Sequence, residues 1–549
     1  MVLLPAYRAL MKIAQRAPTL AQVVTAARAG ALGHATALFE AGGFGSATDD
    51  AAALAVAGRL ARDRALQAPQ DRKPRLFAEA AAAFAAANAL DPQAYSQINQ
   101  ATMTWLAGER ERAQELARAL LAALDGGGPL QETPSWLAAA RAEALLLLGD
   151  TAGAKVQLAK AAALSRDDPE DHAATMRRLS LILAAAGEDA AWLDAYRPTR
   201  ALHFAGHLGV AQSAAAVLGE RVAAVIGDEN IGAGFGALAA GADLVVAEVL
   251  LEQGADLHVV LPTPPDTFRA QSVTPYGPAW ERRFADAIER ATSLRWVTTI
   301  DGGYQPLATR LAADVAMGAA RVHARRLQTE AHQLLVIDDG EGPFGLGLNT
   351  RYMGERWNAG RGTGGSGQVC LRVPRSAPVT ASGAKAPEGR GDLQLIAMLQ
   401  IGFEGLDQLD DNAFADALDL VVEPFRARAA RIEPRPDLLL PAGNARIVAF
   451  ADPDAAWHHA ARLLDAAGAA ESLRIVGHYG LAHRLRDPDA LVGNAVAQLD
   501  ALSRRALPGV LVATEAFAAA ASVNCAEQME IEEVGMLDEA PLFAVRAAQ

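Results

Sequence analysis

Between Ile231 and Pro262 the chain gathers residue types that hold small anions: Gly232, Gly234 and Gly236, then Gly241-Ala242-Asp243, with Glu248 further on. Glycines let backbone amides crowd close to a ligand. A helix starting beside them turns its partial positive end to the same place. Gly206 and His207, which end an earlier apolar run, are candidate contacts of the same ligand. Together Gly206, His207, Gly232, Gly234, Gly236, Gly241, Asp243 and Glu248 form the candidate ligand-binding set. The plainer reading makes the glycines a tight strand-to-helix turn and His207 the cap of a strand. Asp243 and Glu248 are spaced near enough to share a helical side, although i,i+5 is not the ideal register, and Glu248 reads as a structural acid rather than a catalyst.

The elements that would position these residues alternate. Ala201 to His207, Leu257 to Pro262 and Leu334 to Asp338 are short apolar runs of strand length, and Arg221 to Gly227 fits strand or helix. Helical segments separate them, notably Ala237 to Gln253, Trp280 to Ala291 and Leu307 to Leu327. Such alternation predicts a parallel sheet covered on both faces, with the ligand at the C-terminal edge of its strands.

The order of small-rich loop, Gly-Ala-Asp helix and Val-Val-Leu-Pro strand resembles the SLOG superfamily of Rossmann-like domains. Ala205-Gly206-His207, Gly241-Ala242-Asp243 and His258 to Pro262 carry the resemblance. So do Phe268 with Ser272-Val273, and Trp280 with Arg283-Phe284. The resemblance implies a nucleotide or nucleotide-derived ligand. The Pro-Gly-Gly-x-Gly-Thr motif of the hydrolytic branch is missing, which leaves a nucleoside-type hydrolase as an alternative only.

Upstream, residues 40–197 are Ala- and Leu-rich with helical periodicity, broken at Asp91-Pro92, Gly108-Glu109 and Gly149-Asp150. Phe77 to Ala113, with Phe84 among small residues and then Tyr95, resembles a tetratricopeptide repeat, and Trp136 to Ala163 is a weaker copy. The resemblance implies a helical solenoid whose concave face takes a protein partner.

The last part resembles a class III nucleotidyl cyclase domain. Leu473 to Gly480 reads as a strand, Gly493-Asn494-Ala495-Val496 opens a helix, and Pro508-Gly509 leads into Val510 to Ala513. Ile401-Gly402-Phe403 and the closing Pro541 to Val545 fit the same order. The catalytic positions implied by that family are replaced. Gln400 and Asn444 stand where metal-binding Asp residues belong, and Ala497 and Ala501 where the family has Asn and Arg. Neutral amides are poor partners for Mg²⁺, and alanine cannot stabilise a transferring phosphoryl group. The expectation is a pseudocyclase domain that transmits a state or holds a homodimer, with an active adenylate/guanylate cyclase as the alternative.

Composition sets the remaining bounds. The net charge of -14 argues against nucleic acid or anionic membrane as partner. Cys370 and Cys525 are too few for a disulfide framework or a zinc site and fit a reducing, cytoplasmic setting. His458-His459 adjoin on a helix and point apart, so no metal site is expected, and no cofactor motif is present. Asp454, Asp487 and Asp489 sit beside prolines and read as helix caps. Residues 359–391, rich in Gly, Pro and Ser, read as a flexible linker. The expected organisation is multidomain. A helical segment, 1–39, precedes the all-α repeats, 40–197, and an α/β Rossmann-like domain, 198–358. The linker then leads to an α+β ferredoxin-like cyclase-homology domain, 392–549. The expected function is intracellular signalling or regulation.

Overall fold

The computed structural model describes residues 18–126, 132–165, 169–299, 305–338, 348–359, 367–379, 392–406, 409–467, 472–538 and 540–548. The chain divides into two compact units. One ends at Pro198 and also takes in Arg326–Gln328; the other runs through Thr199–Arg325 and Thr329–Ala548. No helix among the described residues is long and apolar enough to cross a membrane.

The first unit is helical: α1 (Leu20–Arg28), α2 (Leu32–Ala41), α3 (Ala51–Gln67), α4 (Lys73–Leu90), α5 (Ala94–Leu106), α6 (Arg110–Asp125), α7 (Pro134–Leu147), α8 (Thr151–Leu164) and α9 (Pro169–Ala186). The breaks read from sequence fall between helices. Gly108 and Gly149 take positive φ of 94° and 80° after α5 and α7, where a left-handed residue ends a helix. Asp150 then caps α8 by accepting from the Gly153 amide at 2.8 Å. Gly58 of α3 lies against the Phe84 ring of α4, and a Cβ there would sit 3.0 Å from it. The small residue lets the two helices approach. Within the unit, buried Glu143 accepts from Thr102 Oγ1 at 2.5 Å and from Arg178 Nε at 3.1 Å, tying α5, α7 and α9 together.

The second unit begins with β1 (Arg200–Gly206), α10 (Gln212–Asp228), β2 (Ile231–Gly236), α11 (Ala242–Glu252), β3 (Asp256–Leu261), α12 (Pro265–Ser272), α13 (Pro278–Arg290) and β4 (Ser293–Trp296). It continues with α14 (Pro306–Arg326), β5 (Ala331–Ile337), α15 (Leu348–Ala359) and β6 (Gln368–Arg372). These strands make a parallel sheet in the order β4-β3-β2-β1-β5-β6, so the winding reverses between β1 and β5. Arg221 to Gly227 is helical, inside α10.

Then follow β7 (Leu393–Phe403), α16 (Asp411–Ala417), α17 (Glu423–Ala429), β8 (Leu438–Ala442), β9 (Ala445–Phe450), α18 (Pro453–Ala467), β10 (Leu473–Leu485), β11 (Ala490–Val492), α19 (Asn494–Ser503), β12 (Leu511–Thr514), α20 (Glu515–Cys525), β13 (Met529–Leu537) and β14 (Ala540–Ala547). The second sheet has the order β13-β14-β12-β10-β7-β9-β8, with β11 on β10; only the β10–β12 pairing is parallel.

The linker reading needs correction. Gln368–Arg372, expected inside it, is an edge strand paired with β5, while residues 360–366 and 380–391 lie outside the described residues. The two sheets are also not separate bodies. Leu311, Ala312, Val315 and Ala316 of α14 share one core with Ala397, Trp457, Ile475 and Phe517 of the second sheet and its helices. Ala313, Met317 and Ala320 of the same helix pack with Ala201, Phe235 and Ala331 of the first. A helix apolar on several faces is buried on several faces, and α14 is the layer common to both sheets.

Candidate functional site

The structure replaces the glycine loop with a strand. Gly232, Gly234 and Gly236 belong to β2, and their i, i+2, i+4 spacing puts them on one face of it. A Cβ at Gly232 would lie 1.9 Å from Thr199 Oγ1, at Gly234 2.2 Å from Leu250 Cδ1, and at Gly236 2.6 Å from the Phe204 carbonyl oxygen. Neighbouring chain presses on all three, which leaves no room for a side chain at these positions. The period-2 spacing of the glycines was the available signal for a strand.

Gly206, His207, Gly241 and Asp243 do come together, at the C-terminal ends of β1 and β2. Leu208 bridges Gly241, whose φ of 119° only glycine adopts comfortably. His207 is buried, and its Nε2 lies 3.0 Å from the Val373 carbonyl oxygen, consistent with donation to it. The Asp243 carboxylate, in the first turn of α11, accepts from the Gly206 amide at 2.9 Å and the Ala239 amide at 3.3 Å. The amides expected to meet a ligand's anion are therefore met by the chain's own carboxylate. Glu248 is held in an ion pair by Arg283, whose guanidinium lies 4.2 Å over the Trp280 ring. It stands apart from this cluster.

Burial pushes Asp243 up to about 7 from 3.8, against the opposing pull of the Ala239 and Gly206 amides. A folded-state value above the unfolded one means that this group's stabilisation is fully present below about pH 4 and is lost as pH rises towards 7. Thermal midpoints of wild type and Asp243→Asn between pH 4 and 9 should show wild type losing ground to the variant from pH 4 to 7. Their difference should then become constant. A pH-independent difference would contradict this assignment.

On the second sheet, Gln400 is half-buried in β7 between Val476 and Ile447. Asn444 is exposed in the β8–β9 turn beside Gly443, whose φ is 60°. Ala497 is exposed and Ala501 half-buried, on α19. None of these side chains carries charge. Among the described residues no group of three His, Cys, Asp or Glu converges as a metal site would require.

The densest polar chemistry lies where the two sheets meet α14. Asp314, wholly buried, accepts from Tyr352 Oη at 2.6 Å and Tyr479 Oη at 3.0 Å, and Arg356 Nε stands 3.1 Å from it. Arg356 also donates to Asp454 at 3.3 Å and the Ala520 carbonyl at 3.2 Å, while Asn524 donates to Asp454 at 2.5 Å. Burial pushes Asp454 up to about 6, with Arg356 opposing. Asp454, in the first turn of α18, serves this cluster; the cluster draws on α14, α15, β10, α18 and α20, and no local spacing announces it.

Beside this cluster opens a cavity of about 620 Å³. Leu307 and Arg310 of α14 line it with Leu393 to Ile396 of β7. Asp437, Leu438, Ala451, Tyr479 and Arg484 complete the wall. The Arg310 guanidinium lies 4.5 Å over the Tyr352 ring, so the cavity adjoins the Asp314 cluster through Tyr352 and Tyr479.

Similarity to known proteins is confined to structure. The adenylyl cyclase CyaB from P. aeruginosa matches at 11% identity and TM-score 0.23, covering 29% of this chain and 96% of that one. The guanylyl cyclase domain of the RhoGC fusion protein from the aquatic fungus Blastocladiella emersonii matches at 14% and 0.23, covering 28% and 96%. An adenylate/guanylate cyclase/hydrolase from Silicibacter pomeroyi matches at 14% and 0.22, covering 29% and 99%. No family model matches the chain, and no curated protein matches it.

Proposed function

We propose that the chain is a regulatory protein that binds a nucleotide-derived small molecule in its α/β unit and relays that state through a non-catalytic, cyclase-like C-terminal lobe. The observation that supports this most directly is α14, a single helix packed into the cores of both sheets and carrying the Asp314 cluster. A ligand that shifted this helix would act on both sheets together, because packed interiors switch between arrangements rather than deform continuously. The neutral residues at Gln400, Asn444, Ala497 and Ala501 support a lobe without metal-assisted phosphoryl chemistry. In this reading the helical unit, a tetratricopeptide-type array, takes the protein partner, the SLOG-type sheet takes the ligand side, and the C-terminal lobe holds a homodimer.

The test is an assay of purified protein with ATP or GTP and Mn²⁺. No cyclic nucleotide above the no-protein background is expected. Sustained cyclic product that collapses in Asn444→Ala would replace the regulatory reading with a catalytic one.

A further inference from the structure

We propose that the cavity between the first turns of α14 and strands β7 and β10 is the ligand site, and that its ligand is a nucleoside monophosphate. This rests on the regulatory reading above but moves the site away from the glycine-rich strand. There the Asp243 carboxylate already satisfies the Gly206 and Ala239 amides, and side chains fill the space beside the glycines.

Size, charge and placement argue for it. At about 620 Å³ the cavity falls within the roughly 300–1,000 Å³ of small-molecule sites. Its charged lining is Arg310, Arg484 and Asp437, an excess of one positive charge. Arg310 lies over the Tyr352 ring and hydrogen-bonds its hydroxyl, which engages only part of a guanidinium group that has five N–H donors. Arg484 gives Nε and one Nη to Asp489 at 3.3 and 3.2 Å, and its other Nη keeps its donors. Arg310 and Arg484 both line the cavity, and a guanidinium group matches a phosphate monoester well.

The rest of the lining suits a nucleoside. Leu393 and Leu395, alternate residues on one face of β7, and Leu438 offer apolar surface for a planar base. One oxygen of Asp437 accepts from the Ala451 amide at 2.8 Å, and the other is left for a ribose hydroxyl or an exocyclic amine. A fatty acid would use the arginines and the leucines but would set an apolar chain against the Asp437 carboxylate, whose second oxygen a hydroxyl or amine would meet better. Placement links the site to the relay. Tyr479 lines the cavity and bonds Asp314, and Arg310 lies over Tyr352, which bonds the same carboxylate.

The experiment is a thermal-shift and calorimetric titration of the full chain with AMP, GMP, inorganic phosphate and octanoate. It is repeated with Arg484→Gln and with Leu393→Trp, both checked for wild-type circular dichroism. AMP or GMP should raise Tm, phosphate and octanoate should not, Arg484→Gln should weaken the affinity at least tenfold, and Leu393→Trp should abolish the shift. A nucleotide shift retained in both variants would overturn the site and leave the regulatory reading standing. A shift with octanoate alone would overturn the nucleotide assignment. No nucleotide shift in wild type would overturn the site and the ligand class together, whatever the cyclase assay returns.

Discussion

Replacing Gly318 with valine should destabilise the α/β unit by about 3 kcal/mol or more, the upper range for overpacking a filled interior. A Cβ at Gly318 would lie 1.7 Å from the Ala519 carbonyl oxygen and 2.2 Å from its carbon. Both obstacles are backbone, so no rotamer change relieves them. The helices α14 and α20 must separate, and each belongs to the core that joins the sheets. Urea unfolding followed by tryptophan fluorescence should show the loss, because Trp357 and Trp457 are fully buried in this unit. Gly227→Ala is the matched control. It too is helical, but its added Cβ meets nothing within 4 Å, and alanine favours a helix over glycine by up to about 1 kcal/mol. Unchanged stability in Gly318→Val would mean that the two sheets do not depend on this contact.

Elements that announce themselves locally were legible in the sequence. The helix breaks at Gly108 and Gly149, the apolar strands β1, β3 and β5, and the long strand β10 all carry their own periodicity or turn residues. Strand β2 was hidden because Ile231-Gly232-Ala233-Gly234-Phe235-Gly236 lacks the branched and aromatic density of a strand. Its glycines answer Thr199, Leu250 and Phe204, contacts that exist only after folding. Strand β6 was hidden for a similar reason. Five residues between glycine-rich and proline-rich stretches have no pattern of their own, and pairing with β5 is what orders them. The site divides in the same way. Gly206, His207, Gly241 and Asp243 are brought together as their spacing suggested, but as a self-satisfied cluster. The cavity draws on α14, β7, β10 and the strands beside them, and no sequence window contains that conjunction.

Asp314→Ala should cost about 3–5 kcal/mol, the range for removing one partner from a buried charged pair. The charge that remains, on Arg356, would keep Asp454 at 3.3 Å and the Ala520 carbonyl at 3.2 Å, but would lose the carboxylate 3.1 Å from its Nε. The hydroxyls of half-buried Tyr352 and buried Tyr479 would both lose their acceptor. Asp314→Asn should be milder, about 1–3 kcal/mol. Its oxygen still accepts from one tyrosine, and its amide can donate to the other hydroxyl once that proton rotates away. A double-mutant cycle with Tyr479→Phe separates coupling from simple loss, with an interaction energy of about 0.5–3 kcal/mol expected for residues in one network. Urea midpoints at constant pH supply every corner of the cycle. Additive effects would mean that Asp314 stabilises α14 alone. A coupling energy within that range would tie the carboxylate on α14 to strand β10 of the second sheet, a link that a relay through this helix requires.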